Sequence, residues 1–107
     1  MNDKQQDQEI IRDILQKIVA GYFPQKVILF GSLAYGEPDE NSDIDLLIIK
    51  DTDKRPIERW MEVKLLLRDR NRKVSVSPLV YTSREIEARL AIKDFFLQEV
   101  LEKGKVL

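Results

Sequence analysis

The chain has 107 residues, 18 basic and 19 acidic side chains, a formal charge of −1, and neither cysteine nor histidine. Those two zeros exclude disulfides, thiolate nucleophiles, Cys-based metal sites and any imidazole base or ligand. Chemistry must then run on carboxylates, hydroxyls, Lys, Arg or backbone groups, and a bound metal must be held by oxygen, which selects Mg²⁺, Ca²⁺ or Mn²⁺. Balanced charge supplies no global field for DNA or an acidic membrane. The length fits one domain, residues 1–107, able to bury roughly 60–70% of its unfolded surface. Apolar runs are too short to span a membrane, and the polar start MNDKQQDQE is unlike a signal peptide. A cytoplasmic protein is the expectation.

Residues 3–20 read as an amphipathic helix, with Ile10, Ile11, Ile14, Leu15, Ile18 and Val19 at helical spacing. Asn2 or Asp3 suits its cap, Gly21 suits its end, and Pro24 blocks continuation. Lys26–Phe30 is short, apolar and branched, so it reads as a buried strand that runs directly into Gly31-Ser32. Leu33, Ala34 and Tyr35 form a short turn or helix, and residues 36–42 (GEPDENS) a polar turn.

Asp43–Lys50 is a second strand, alternating at first and then solidly apolar, as a central strand covered on both faces should be. Pro56 suits the first position of a helix whose apolar side is drawn from Ile57, Trp60, Met61, Leu65 and Leu67, up to about Arg70. Arg68, Arg70, Arg72 and Lys73, interrupted by Asp69, read as a solvated helix end.

Val74–Thr82 is a third strand, and Pro78 marks it as an edge strand or a bulged one. A helix starts at Ser83, supported by Glu85 and carrying Ile86 and Leu90. Asp94 suits the cap of a further segment with Phe96, Leu97, Val100 and Leu101, and Gly104 its end. One helix or two satisfy residues 84–103. The order is α–β–β–α–β–α, a small sheet flanked by helices in the α+β class.

Gly31-Ser32, ten intervening residues, and then Asp43-Ile44-Asp45 form the pattern that carries chemistry. Asp43 and Asp45 are two apart on a strand, so both carboxylates leave one face, with Cα atoms about 7 Å apart. Two such carboxylates hold one Mg²⁺ or share a pair of ions. Glycine at 31 permits close backbone approach, and the Ser32 hydroxyl with the following amides suits an anion. A phosphate site at one strand end beside a metal site on the next is what Mg–nucleotide binding needs. No Walker A loop is present.

At these residues the sequence resembles a known family. The stretch FGSLAYGEPDENSDIDLLII is similar to the signature of the minimal nucleotidyltransferase (MNT) group of the DNA polymerase β-like superfamily, most specifically at Gly31, Ser32, Gly36, Ser42, Asp43 and Asp45. The resemblance runs from the first helix to EVLEKGKVL. It implies the polymerase β-like fold with a mixed sheet, NTP as substrate, Mg²⁺ (or Mn²⁺) as cofactor, and transfer of a nucleoside monophosphate to an acceptor hydroxyl. Carried across, Gly31, Ser32, Gly36 and Ser42 bind nucleotide, and Asp43 and Asp45 are the catalytic metal ligands. Many relatives resemble antitoxins encoded with a HEPN-domain toxin, so a HEPN-domain partner and further copies of this chain are the candidate partners.

Two departures from the family pattern matter. Tyr35 stands where the family commonly has Arg. Ser77, with Ser75 beside it, stands where the family has a third carboxylate on the following strand. Loss of that acid should cost orders of magnitude in rate while sparing NTP–Mg²⁺ binding. Of the spare acids, Glu37, Asp39 and Glu40 are nearest in sequence; Asp51, Asp53, Glu58 and Asp69 are not returned to the site by local spacing. The alternative reading is therefore a catalytically weak or inactive MNT-fold antitoxin acting by binding. Trp60, Phe95 and Phe96 are either partner surface or core, and core is the commoner fate of such residues.

Overall fold

The computed structural model describes residues 3–35, 43–68 and 75–107, with side chains at 8–34, 43–68 and 75–107. Asn2, Gly36, Glu37, Asp39, Glu40, Ser42 and 69–74, together with the side chains of Asp3 and Tyr35, lie outside the described residues.

The elements are α1 (Asp3–Tyr22), β1 (Lys26–Phe30), α2 (Ser32–Tyr35), β2 (Ile44–Ile49), α3 (Pro56–Leu66), β3 (Val76–Tyr81), α4 (Ser83–Ala91), α5 (Phe95–Lys103) and β4 (Lys105–Val106). The sheet order is β3-β2-β1-β4. β1 runs antiparallel to β2 and to β4, and β2 runs parallel to β3. This is the expected mixed sheet flanked by helices, with α2 resolved as a short helix and β4 added.

β2 shows why a solid apolar run belongs in the middle. On one face Ile44, Leu46 and Ile48 meet Val27 and Leu29 of β1, Ile14 and Ile18 of α1, and Val63 of α3. On the other, Leu47 meets Ile28 of β1, Ile86 of α4, and Leu97 and Val100 of α5. Each such side chain is worth about 1.5–3 kcal/mol when fully buried. α4 and α5 are separate helices. Thr82, not Ser83, caps α4, in a capping box with Glu85, and Asp94 caps α5 by accepting from the Leu97 amide at 3.1 Å.

Three readings of the sequence need correction. Gly21 does not end α1, which continues to Tyr22. There it lies against α3: a Cβ at 21 would stand 2.6 Å from Leu66 Cδ2, the far end of a side chain that can shift to admit it. The chain turns instead at Phe23, with φ 54. Second, residues 105–106, beyond Gly104, are a strand on β1, and Leu107 N donates to Val27 O at 2.9 Å. Two residues of no marked periodicity gave no signal for it.

Third, α3 is turned away from its expected apolar side. Ile57, Trp60, Met61 and Leu65 are exposed, whereas Arg59 and Val63 are buried within the helix, and of the expected side only Leu67, at the helix end, is buried. Val63 and Leu67 join the α1 side of the core, and on the buried side lies Arg59, only 6% exposed. Its Nε donates to Lys54 O at 2.7 Å and its Nη1 to Glu85 Oε1 at 2.7 Å. A buried charge is tolerated only when paired and hydrogen-bonded, and this one is.

The same helix closes the outer edge of β3. Arg59 Nη1 faces Val80 O at 3.5 Å, and Lys64 Nζ donates to Val76 O at 3.1 Å. Pro78 between them has no N–H to offer. An outermost strand so covered is a poor template for another chain. The expectation of an edge strand holds, and its pairing with β2 runs without a bulge.

Burial raises the Glu85 carboxyl, but the Thr82 amide and then the Arg59 guanidinium outweigh it and hold it below its ordinary range. A depressed folded value means stability that is full above the ordinary 4.5 and is lost as pH falls through the folded value. Glu85→Gln should cost on the order of 1 kcal/mol at neutral pH, kept small because the Glu85 side chain is 38% exposed. In denaturant titrations repeated at acid pH, the gap from wild type should shrink.

Candidate functional site

β1 ends at Phe30, and Gly31 then takes φ +78, a left-handed conformation that favours glycine. The absent side chain has a second consequence. A Cβ at 31 would collide with Asp45 Oδ2 and lie 3.2 Å from Asp45 Cγ. The Asp45 carboxylate therefore occupies the space that a residue with a side chain would fill. Ser32 follows, half-buried, as the first residue of α2. Ala34 N donates to Gly31 O at 3.0 Å, and the buried Ala34 and part-buried Leu33 fasten α2 to the α1 side of the core.

Register places the neighbours of Asp45. Its Cα partner on β1 is Phe30 and on β3 is Ser77. Strand alternation puts Asp45 and Leu47 on one face, the one α4 and α5 cover farther along the sheet, and Asp43, expected to open the strand, immediately precedes β2 (Ile44–Ile49). Ile44 points the other way, into the core with α1 and α3. Its amide donates to Ser75 O at 2.9 Å, which fixes the start of the parallel pair. Asp43 is exposed and Asp45 half-buried.

The Asp45 carboxyl is raised, first by its own burial and then by the charge of Asp43. Ser77 is exposed beside it. Among the described residues no group of three carboxylates forms that could hold a metal ion. Asp51 is not a substitute. It lies past the far end of β2, where Oδ1 accepts from Ser83 N at 2.8 Å and Oδ2 from Gln25 Nε2 at 3.0 Å. The Ser83 amide, then Gln25, hold its carboxyl below the ordinary range. Glu58 pairs with Arg55 at 2.7 Å. Gly36 and Ser42, the other expected nucleotide-binding residues, are outside the described residues.

The donor set suits a divalent cation. Asp43 and Asp45 could offer oxygen ligands, and a bound positive charge would relieve the burial and the repulsion from Asp43 that disfavour the Asp45 carboxylate. Sequence reasoning weighed Phe96 only as partner surface or core. Its ring packs edge-on against Phe30, centroids 5.6 Å apart at 82°, so it borders the position opposite Asp45. Only the cross-strand register reveals this. A separate apolar cleft of about 520 Å³, with Trp60 and Leu79 in its walls, opens at the outer edge of β3 and includes none of the candidate residues.

The family model described as "Nucleotidyltransferase domain" matches residues 9–106. The chain belongs to that nucleotidyltransferase family. None of the curated proteins matches it. Its fold is similar to that of a candidate nucleotidyltransferase from Sulfolobus solfataricus solved by crystallography. The TM-score is 0.61 at 20% identity, over 79% of this chain and 75% of that one. At that identity the likeness is one of fold. The family agrees with the resemblance carried by FGSLAYGEPDENSDIDLLII, and nucleotidyl transfer is the family's general activity.

Asp45 in this nucleotidyltransferase domain should be costly to the metal-free protein. A raised folded value makes the charged form a liability that grows as pH rises through it. Asp45→Asn should therefore raise the thermal midpoint in EDTA at neutral pH, with the gain fading in acid. Gly31→Ala should lower stability by about 1–3 kcal/mol, from left-handed strain and the collision with Asp45. Both are read by thermal or denaturant unfolding.

Proposed function

We propose that this protein binds an NTP with Mg²⁺ and transfers its nucleoside monophosphate to an acceptor hydroxyl, the new bond to the α-phosphorus replacing the bond to the released pyrophosphate, as the antitoxin of a HEPN/MNT pair. The observation that carries the proposal is the meeting of Gly31 with Asp45, which joins the Gly-Ser turn to the Asp-x-Asp strand in one site.

In this reading the Gly31 backbone and the Ser32 hydroxyl hold phosphate oxygens, with Gly36 and Ser42 completing the nucleotide contacts. Asp43 and Asp45 are the metal ligands and catalytic carboxylates, with Mn²⁺ able to replace Mg²⁺. The bound ion supplies neutralisation of charge on the triphosphate. Phe30 and the paired β strands keep the carboxylates fixed relative to the turn. The acceptor we favour is a Tyr or Ser hydroxyl of the partner protein. The family supports nucleotidyl transfer in general; the nucleotide, the ion, the partner and a cytoplasmic setting are our proposals.

One observation favours a second reading. Ser77 is the Cα partner of Asp45, the position at which the family resemblance expects its third acid. With no carboxylate there, the chain retains nucleotide and ion binding but transfers slowly, and restrains its partner chiefly by occupying it. Further copies of the chain are also candidate partners.

Two experiments separate the readings. Labelled NTPs with Mg²⁺ or Mn²⁺ are incubated with the chain and the product of the adjacent gene. Transfer predicts acceptor labelling that disappears in Asp43→Ala and Asp45→Ala. Full neutralisation of the partner by those variants, without labelling, would sink catalysis as the mechanism. Ser77→Asp should tighten Mg²⁺ binding or raise the rate by at least ten-fold, on the order expected for one ionic ligand. No effect on either rejects Ser77 as the missing ligand position.

A further inference from the structure

Phe96 is the second residue of α5 and is 46% exposed. Aromatic rings normally bury most of their area in a core. This ring buries one part against Phe30, edge to face, and leaves the rest open. Phe30 is the Cα partner of Asp45 and immediately precedes Gly31-Ser32. The Phe96 ring thus rests on the side chain of the residue that pairs with Asp45 and leads into the Gly-Ser turn. Phe95 and Ile92, near it in sequence, are exposed too.

We infer that the exposed ring of Phe96, braced by Phe30, is the stacking surface for the nucleobase of the bound NTP. The inference rests on the reading of the site as an NTP site and adds a base subsite to it. Stacking recognises the π-face that every base has, and it strengthens with ring size. Neither Phe30 nor Phe96 has a hydrogen-bonding group to read a base edge. Phe96 is therefore a positioning residue that gives purines an advantage over pyrimidines without choosing sharply between adenine and guanine.

The test is calorimetric titration with Mg²⁺ and either the non-cleavable α,β-methylene ATP analogue or inorganic tripolyphosphate, which has phosphates and no base. Phe96→Leu should weaken the nucleotide at least five-fold and leave tripolyphosphate unchanged, and Phe96→Trp should restore the nucleotide. In wild type the purine analogues should bind within about three-fold of one another and more tightly than the cytidine analogue. Unfolding curves of Phe96→Leu and Phe96→Trp establish that both fold. Equal weakening of both ligands, or no weakening of either, overturns the inference and leaves the NTP reading standing. Wild type that binds tripolyphosphate as tightly as nucleotide also overturns it. Wild type that binds neither overturns the NTP reading and the base subsite with it.

Discussion

Asp45 is the one ionisable side chain on β2, set among Ile44, Leu46, Leu47, Ile48 and Ile49. Taking a carboxylate part-way out of water costs free energy unless a partner compensates. Its carboxyl is raised by burial and by Asp43, and no basic group among the described residues acts against that. The surroundings are arranged to admit this charge. Residue 31 has no side chain, because Asp45 Oδ2 fills the place of one. The chain leaves β1 in a left-handed conformation at that residue. Both features relate to a charge that a sheet of this composition does not need for folding.

The two faces of the sheet divide the labour. The face under α1 and α3 is a continuous apolar core, from Ile14 and Ile18 through Leu46 and Ile48 to Val63. The face under α4 and α5 is apolar at Leu47 and Ile28 and changes to carboxylate and hydroxyl at Asp45 and Ser77. Other charges are committed to holding elements in place. Arg59 joins α3 to α4 through Glu85, and Asp51 joins the start of α4 to Gln25 ahead of β1. With Lys64 and Arg59 on the carbonyls of β3, the outer strand is occupied too. In the reading proposed above, function belongs to the face and not to the edge.

How much of this was legible in the sequence depended on how far each signal reached. β2 was clear, because a solid apolar run flanked by turns leaves little else. Pro78 at an edge was clear for the same local reason: a residue without N–H cannot serve two neighbours. The Asp-x-Asp pair followed from strand period alone. α3 was misread because its apolar residues Ile57, Trp60, Met61 and Leu65 form a helical stripe as good as the true one. The buried side instead carries Val63 and Leu67 in the core and Arg59 paired with Glu85 across 26 positions of chain, partners that no local pattern announces. Gly21 was misread because a helix-ending glycine and a helix-contact glycine look alike until Leu66 is in place. The meeting of Gly31 with Asp45, and of Phe96 with Phe30, is likewise invisible without register.

Ser77 shows how stability and chemistry separate at such a site. A carboxylate at 77 would stand opposite Asp45 on the next strand, and like charges so placed destabilise a sheet. Asp45 already carries the burden of burial and of Asp43. Serine at 77 removes the third charge, so the metal-free fold is easier to hold. The loss falls on whatever the third charge would have neutralised. In the reading proposed above, two carboxylates retain one ion with its nucleotide, while activation of an acceptor hydroxyl loses its nearest acid. A protein without histidine has no imidazole to supply that base. In that reading, the composition that directs this chain toward oxygen-held Mg²⁺ is the same one that separates binding of the nucleotide from speed of its transfer.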